Sequence, residues 1–473
     1  MNLSMMQVLS ESEIGQIHNA TIDILTNCGV RIENSAMRDF LKSRNVQVDD
    51  DSFVVRFTKD QIDKALASVP ASFDVFNRDG ELAFTIGDGI PKVAAGHNAV
   101  FWADSESGRT RSSTVNDVEC FARICEQLQH IDMIGVPVMP QDIPNAQDSL
   151  LYGVSACVRN SKKPIFFSTD RPDVNRGCIE LLRTAFKGDL SNQCYGICQL
   201  SPTSPLYWES SVLEAVMDTV EMGVPLAVLP EPNAGVSAPY TLAGLVTVNN
   251  AECLSGIVMI QMLRPGHKVL YANSWTTTDM RTGSALVGSV ETSICRIAGT
   301  QLAKFYNIPC HTTAPNSDNH AHDEQNSWEK TISQLTSIAS GTDLIVNCGM
   351  FATGMTCSHE QLVMDHEITA VCRRLARGMQ VDADTVALDV IKSIGPRGES
   401  FLTTDHTMDW LHSDEYYETE VSVRGPRATW EAAGCKDTYA VSREKAYELM
   451  NRPGAEQLSA SQLAKMDEIV KGV

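Results

Sequence analysis

Seven short runs rich in apolar or β-branched residues begin near residues 131, 163, 193, 225, 268, 308 and 343, which is 30 to 43 residues apart. Each is separated from the next by a stretch suited to a helix, and several of those stretches stop at Gly223, Gly266, Asn307 or Gly341 just before the next run. Strands alternating with helices at this spacing form a parallel sheet, because only a long crossover can bring the chain back in the same direction. Two architectures satisfy the pattern, an open doubly wound sheet and a (β/α)8 barrel. No G-x-G-x-x-G follows any of the runs, which weakens a dinucleotide-binding sheet. The even spacing therefore favours an α/β fold of the (β/α)8 TIM-barrel type. Its eighth strand is expected at Ser400–Thr404.

The rest of the chain surrounds that barrel. Residues 1–115 read as a mixed flank. Ser10 to Glu13 and Thr58 to Gln61 are capping boxes that open two helices, and Asp79-Gly80 and Asp88-Gly89 mark hairpin turns between the short runs FDVF, LAFTI and AVFWAD. The barrel is assigned to 116–407. Residues 408–473 form a C-terminal helical extension that wraps the barrel or serves contacts between copies, so a homo-oligomer is expected.

Composition narrows the partners. A formal charge of −21 disfavours nucleic acid and anionic membranes. The 14 cysteines are scattered without a C-x-x-C, so a structural zinc site is not expected. The start, MNLSMMQVLSESE, has no basic region followed by an apolar run, and the longer apolar stretches carry Asn, Glu or Gln. A cytoplasmic protein with no membrane span is the expectation.

In such barrels chemistry gathers where strands end. The run near 225 ends in LPEPNAGVSAPY, that near 268 in YANSWTTTDMRTG and that near 343 in NCGMFATGMTCSHE. The run near 308 leads into HTTAPNSDNHAHDEQNSWEK (311–330), a polar stretch read as a loop lining a chamber. Within it, His320 and His322 could share a metal, but the loop has no Cys. Hydrogen bonding within the loop is the favoured role, and Asn316 or Asp318 would touch a substrate.

The stretches SAPYTLAGLVTVNNAE (237–252), TTDMRTGSALVGSVET (277–292), IAGTQLAKFYNIPCHT (297–312), EQLVMDHE (360–367) and SFLTTDHT (400–407) resemble the trimethylamine methyltransferase superfamily. The resemblance implies a (β/α)8 barrel that demethylates methylated amines and passes the methyl group to a corrinoid carried by a separate protein, with no cofactor tightly bound to the barrel itself. Founding members carry pyrrolysine in the loop after the run near 308 or close to it, whereas 311–330 holds only standard residues here. That likeness to the branch without pyrrolysine implies a quaternary amine, such as glycine betaine, proline betaine or carnitine, rather than trimethylamine.

A quaternary nitrogen leaves as a neutral amine when its methyl carbon is attacked, so no acid, base or covalent nucleophile is expected of the protein on that path. Binding the cation calls for aromatic faces and carboxylates. The candidates are Phe101, Trp102, Trp275 and Phe351, with Glu231 adding negative charge. A betaine carboxylate would need a cation or donors, for which His359 and His406 are the first candidates and Arg281 the next. The resemblance singles out Phe351 and His359. Two alternatives stay open: a non-catalytic betaine-binding relative, and a zinc-dependent corrinoid methyltransferase.

Overall fold

The computed structural model describes residues 6–190 and 192–472. Eight parallel strands close into a barrel, paired in chain order. They are β1 (Lys92–Ala95), β2 (Met133–Gly135), β3 (Ile165–Ser168), β4 (Gly196–Leu200), β5 (Leu226–Val228), β6 (Val269–Asn273), β7 (Cys310–Thr313) and β8 (Leu344–Cys348). β8 returns to pair with β1, Leu344 opposite Lys92. Each strand is followed by an outer helix: α1 (Val115–Gln127), α2 (Ser149–Asn160), α3 (Pro172–Ala185), α4 (Ser210–Glu221), α5 (Leu242–Leu263), α6 (Val290–Phe305), α7 (Glu324–Ser340) and α8 (His359–Arg377).

The seven runs read from the sequence are β2 to β8, and the eighth strand is placed differently. Lys92–Ala95, inside the stretch read as flank, closes the barrel. Ser400–Thr404 is instead a surface turn around Phe401–Thr403 that buries no residue. The Asp88-Gly89 turn does not send the chain back along its partner strand. It sends the chain up into the barrel wall, which a four-residue strand with one β-branched side chain does not announce.

Both capping boxes form. The hairpin Phe73–Phe76/Leu82–Ile86 plugs the N-terminal end of the barrel. Its Phe73, Val75 and Ile86 pack with the inward side chains Ala94, Met133, Phe166, Ile197, Ala227 and Leu270 in one buried cluster. With that end sealed, a ligand reaches the interior from the other.

α5 is long and apolar enough by length and composition to cross a membrane, contrary to the reading that its polar residues forbid it. Its apolar surface is spent inside the protein, and so are its polar groups. Asn250 accepts from the Tyr271 hydroxyl and donates to Thr21 of the N-terminal helix. Glu252 accepts from Ser204 Oγ and from the Leu206 amide. Buried polar groups satisfied in this way fix the register of the flank on the barrel.

After α8 the chain runs through short helices (Ala383–Val386, Leu388–Ile394, Asp405–Trp410 and Arg427–Ala432) that bury no residue. Two longer helices follow. Thr438–Met450 packs on α8 and α1, and Ala460–Lys471 on α3. All fourteen cysteines are free thiols, and all but Cys28, Cys120 and Cys435 are buried.

Candidate active site

The open end of the barrel is built from strand ends that carry small or polar residues. Inward positions alternate along each strand. On β4 they are Ile197 and then Gln199, and on β5 Ala227 and then Leu229, with Glu231 next in phase beyond Pro230. On β7 the inward residue is His311, whose ring lies 5.2 Å from that of Phe166. His97 follows β1 and lies 5.4 Å from the same Phe166 ring.

These groups form a directional chain. One end of the Gln199 amide is 3.1 Å from His97 Nε2 and the other is 3.2 Å from His311 Nε2. His311 Nδ1 is 3.3 Å from the Leu344 carbonyl. The Gln199 NH2 donates to His97 Nε2, and the Gln199 oxygen accepts from His311 Nε2–H. His97 then carries its proton on Nδ1, and both imidazoles are neutral. Burial holds them so, pushing His97 down to about 4 and His311 to about 3.

Glu231 differs from its surroundings. Water reaches its side chain, yet protein encloses it closely enough that burial pushes its carboxyl up to about 7. Among the described residues it has no hydrogen-bond or ion-pair partner. Beside the chain of amides and imidazoles, a cavity of about 380 Å³ opens between Asn98, Ser168, Thr169, Gln199 and Ser201, ample for a small amine. Arg171 also borders it, but its N–H groups are spent on Asp173 and the Gln147 carbonyl.

The other residues read from the sequence are held by protein partners. Trp275 is buried with its indole N–H on Asn273 Oδ1, under Gly299 of α6. Trp102 lies edge-on to His359 at 4.5 Å, and the His359 Nε2–H donates to the Asp117 carbonyl at 3.2 Å. That pair joins the strand Phe101–Asp104 and the start of α8 to α1. Phe351 is buried against His322 at 4.5 Å. Asn316 donates to the Thr313 carbonyl and accepts from Asn347. Asp318 accepts the backbone N–H groups of Val287 and Gly288. Phe101 is exposed at the rim. Arg281 is a surface residue paired with Asp279. His406 sits over Asp384 and Trp410 in the C-terminal segment and has no contact with the mouth.

His320 and His322 are not brought together as ligands. His320 is exposed, while His322 stacks between Phe351 and Tyr439 with Nε2 on Ser358 Oγ. Among the described residues, no group of three His, Cys, Asp or Glu side chains could hold a metal.

The rim next to β8 turns on Gly349, at φ +92°, where an added Cβ would lie 2.7 Å from the Phe121 ring. Gly349→Ala is expected to destabilise the fold by about 2–4 kcal/mol, from left-handed strain plus overpacking. Urea denaturation measures it, and a loss under about 1 kcal/mol would show that Phe121 gives way.

Comparison with known proteins now places the chain. The family model for trimethylamine methyltransferase (MTTB) matches residues 1–471. The chain belongs to the trimethylamine methyltransferase family. Trimethylamine methyltransferase MttB of Methanosarcina thermophila is 28% identical over 469 residues, covering 98% of this chain and 96% of that protein. The glycine betaine methyltransferase of Desulfitobacterium hafniense (strain Y51) is 28% identical over 427 residues, covering 89% and 88%. The crystal structure of the Methanosarcina barkeri monomethylamine methyltransferase superposes with a TM-score of 0.55 at 13% identity, covering 94% and 88%, which speaks for the fold alone. As a member of this family, the protein is a methyltransferase.

Proposed function

We propose that this family member demethylates a quaternary amine of the betaine type and hands the methyl group to the reduced corrinoid of a separate protein. One observation carries the reading: Glu231, three residues beyond the end of β5, is a carboxyl with no hydrogen-bond or ion-pair partner among the described residues. A carboxylate without a partner of its own stabilises a fixed cation. The likeness to a glycine betaine methyltransferase and the standard residues throughout 311–330 support a quaternary rather than a tertiary amine.

The corrinoid, as methyl acceptor, supplies the nucleophile from outside the chain. The barrel holds N⁺ near Glu231, directs one methyl outward and limits water around it. Glu231 is, of the residues read from the sequence, the one we place against the ammonium. Trp102, Trp275, Asn316, Asp318, Phe351 and His359 shape the rim around it.

The test combines the protein with free Co(I) corrinoid and a panel of glycine betaine, proline betaine, carnitine and trimethylamine, following loss of Co(I) absorbance. Methylation is expected from at least one quaternary compound and not from trimethylamine. The opposite pattern would overturn the substrate class.

A further inference from the structure

One side of the mouth carries hydrogen-bond donors that the protein itself does not use. Ser168 Oγ accepts from the Asn98 amide at 3.2 Å, and Thr169 Oγ accepts from the Arg171 N–H at 3.1 Å. Among the described residues neither hydroxyl proton has an acceptor, and Ser201 Oγ has no partner. His97 adds an N–H of the same kind. With Nε2 accepting from Gln199, the ring keeps its proton on Nδ1, which has no partner among the described residues. Ser168, Thr169 and Ser201 line the cavity of about 380 Å³, and His97 meets its edge through Gln199.

The unused capacity is one-sided. Ser168 and Thr169 already accept, so what they have left is a proton to give. A set of donors of this kind suits a group that only accepts, and an ionised carboxylate does so at about four lone-pair sites. Recognition here falls to neutral donors. Asp170 and Arg171 also border the cavity and offset one another, and the Arg171 N–H groups are committed to Asp173 and Gln147. The rest of the lining is apolar: Met139, Leu150, Val174, Leu200 and Val212. Such a wall favours a hydrocarbon chain laid along it over water.

The same chamber reaches Glu231. Gln199 on β4 lies opposite Ala227 on β5, so Ser201 is level with Leu229, and Glu231 is the next inward position on β5. The unpartnered carboxyl and the unpartnered donors therefore border one chamber, on either side of the seam between β4 and β5.

We infer that this cavity receives the carboxylate end of the substrate, and that a chain of three or more carbons separates that carboxylate from the quaternary nitrogen. The inference rests on the placing of Glu231 against the ammonium. In glycine betaine one methylene joins the poles, about 2.5 Å from nitrogen to carboxyl carbon, and the apolar wall stays uncovered. Three methylenes extend that to about 5 Å and lie along it. The carboxylate is then held by Ser168, Thr169, Ser201 and His97. His359, His406 and Arg281, the candidates read from the sequence, are occupied by Asp117, Asp384 and Asp279.

Calorimetric titration of the full chain, with no corrinoid present, tests this. The ligands are glycine betaine, 4-(trimethylammonio)butanoate and butyltrimethylammonium, which has the chain and the cation but no carboxylate. Wild type should bind the butanoate at least about tenfold more tightly than either of the others. Ser168→Ala with Ser201→Ala should weaken the butanoate by about 20-fold or more and leave butyltrimethylammonium within about twofold. A merely structural role would weaken both alike. His97→Leu should weaken the butanoate about tenfold, and His97→Asn, which keeps an N–H near the place of Nδ1, should recover part of that loss. Butyltrimethylammonium bound as tightly as the butanoate would overturn the inference and leave the cation site at Glu231 standing. Glycine betaine bound as tightly as the butanoate would overturn the chain length. Failure of all three to bind would sink the betaine reading and the inference together.

Discussion

Replacing Glu231 with glutamine is expected to raise KM for the quaternary amine roughly 30-fold and to raise kcat about 6-fold. The carboxylate faces a full positive charge in the bound substrate. Even with water reaching the chamber, that attraction is worth about 2 kcal/mol at a separation of 4–5 Å. During transfer the nitrogen loses its charge as the C–N bond breaks, so roughly half the attraction is gone at the transition state. An interaction stronger in the ground state than in the transition state lowers both KM and kcat, so removing it raises both. Hence kcat/KM in the variant should fall only about 5-fold. A collapse of kcat with KM unchanged would mean that Glu231 acts on the reacting bond and does not serve as the counter-charge.

The same carboxyl gives a pH signature. Burial holds it up at about 7, so at pH 5 it is protonated and neutral, and it ionises as the pH rises. A bound cation favours the ionised form, so binding must displace the proton below that pH. KM for the wild type should therefore fall by up to tenfold per pH unit between 5 and 7 and level off above. His97 and His311 stay neutral throughout this window, since burial holds both at or below about 4. In Glu231→Gln the slope should vanish. A wild-type KM flat across this range would remove Glu231 from the cation's surroundings.

The sequence was most legible where periodicity was strong. Strands β2 to β8 each lie in an apolar run bounded by turn residues, and repeated spacing marks a barrel without any single strand having to be certain. β1 escaped because KVAA is short and follows a turn signal that also reads as a hairpin. Losing β1 hid His97, which only becomes a mouth residue once Gly96 is seen to end a barrel strand. Gln199 and Glu231 were open to discovery by alternation, since 197 and 199 on β4, and 227, 229 and 231 on β5, share one phase. The aromatics were not. Whether Trp275 or Phe351 faces a ligand or a neighbouring side chain depends on Gly299 and His322, distant positions that no local pattern reports. His322 illustrates the same limit: its ring is held by Tyr439, from a helix at the other end of the sequence.

Behind the rim, Lys330 and Asp365 form an ion pair with both side chains wholly buried, Nζ to Oδ2 at 2.8 Å. Lys330 also donates to the Pro315 carbonyl, and Asp365 accepts from the Gly349 amide at 2.6 Å and from Gln361. The pair thus fastens the chain just beyond β7 to the chain just beyond β8. Lys330→Met is expected to cost about 3–5 kcal/mol, because it strands a carboxyl in the interior. That carboxyl is already raised by burial, with Lys330 opposing the rise. Without the lysine it climbs further and folds protonated. A folded-state value above the unfolded one means stability present at low pH and lost as pH rises. The single variant should therefore lose more stability at pH 8 than at pH 5. Lys330→Met combined with Asp365→Leu removes the orphan charge and should regain much of the stability, since apolar replacement of a whole buried pair is often neutral. Turnover should not return with it, because Pro315 O and Gly349 N–H still lack their partners and the two rim segments are no longer fastened. Urea denaturation and turnover measured on the same three proteins separate these effects. A double variant that is both stable and fully active would show that the pair only fills space behind the rim.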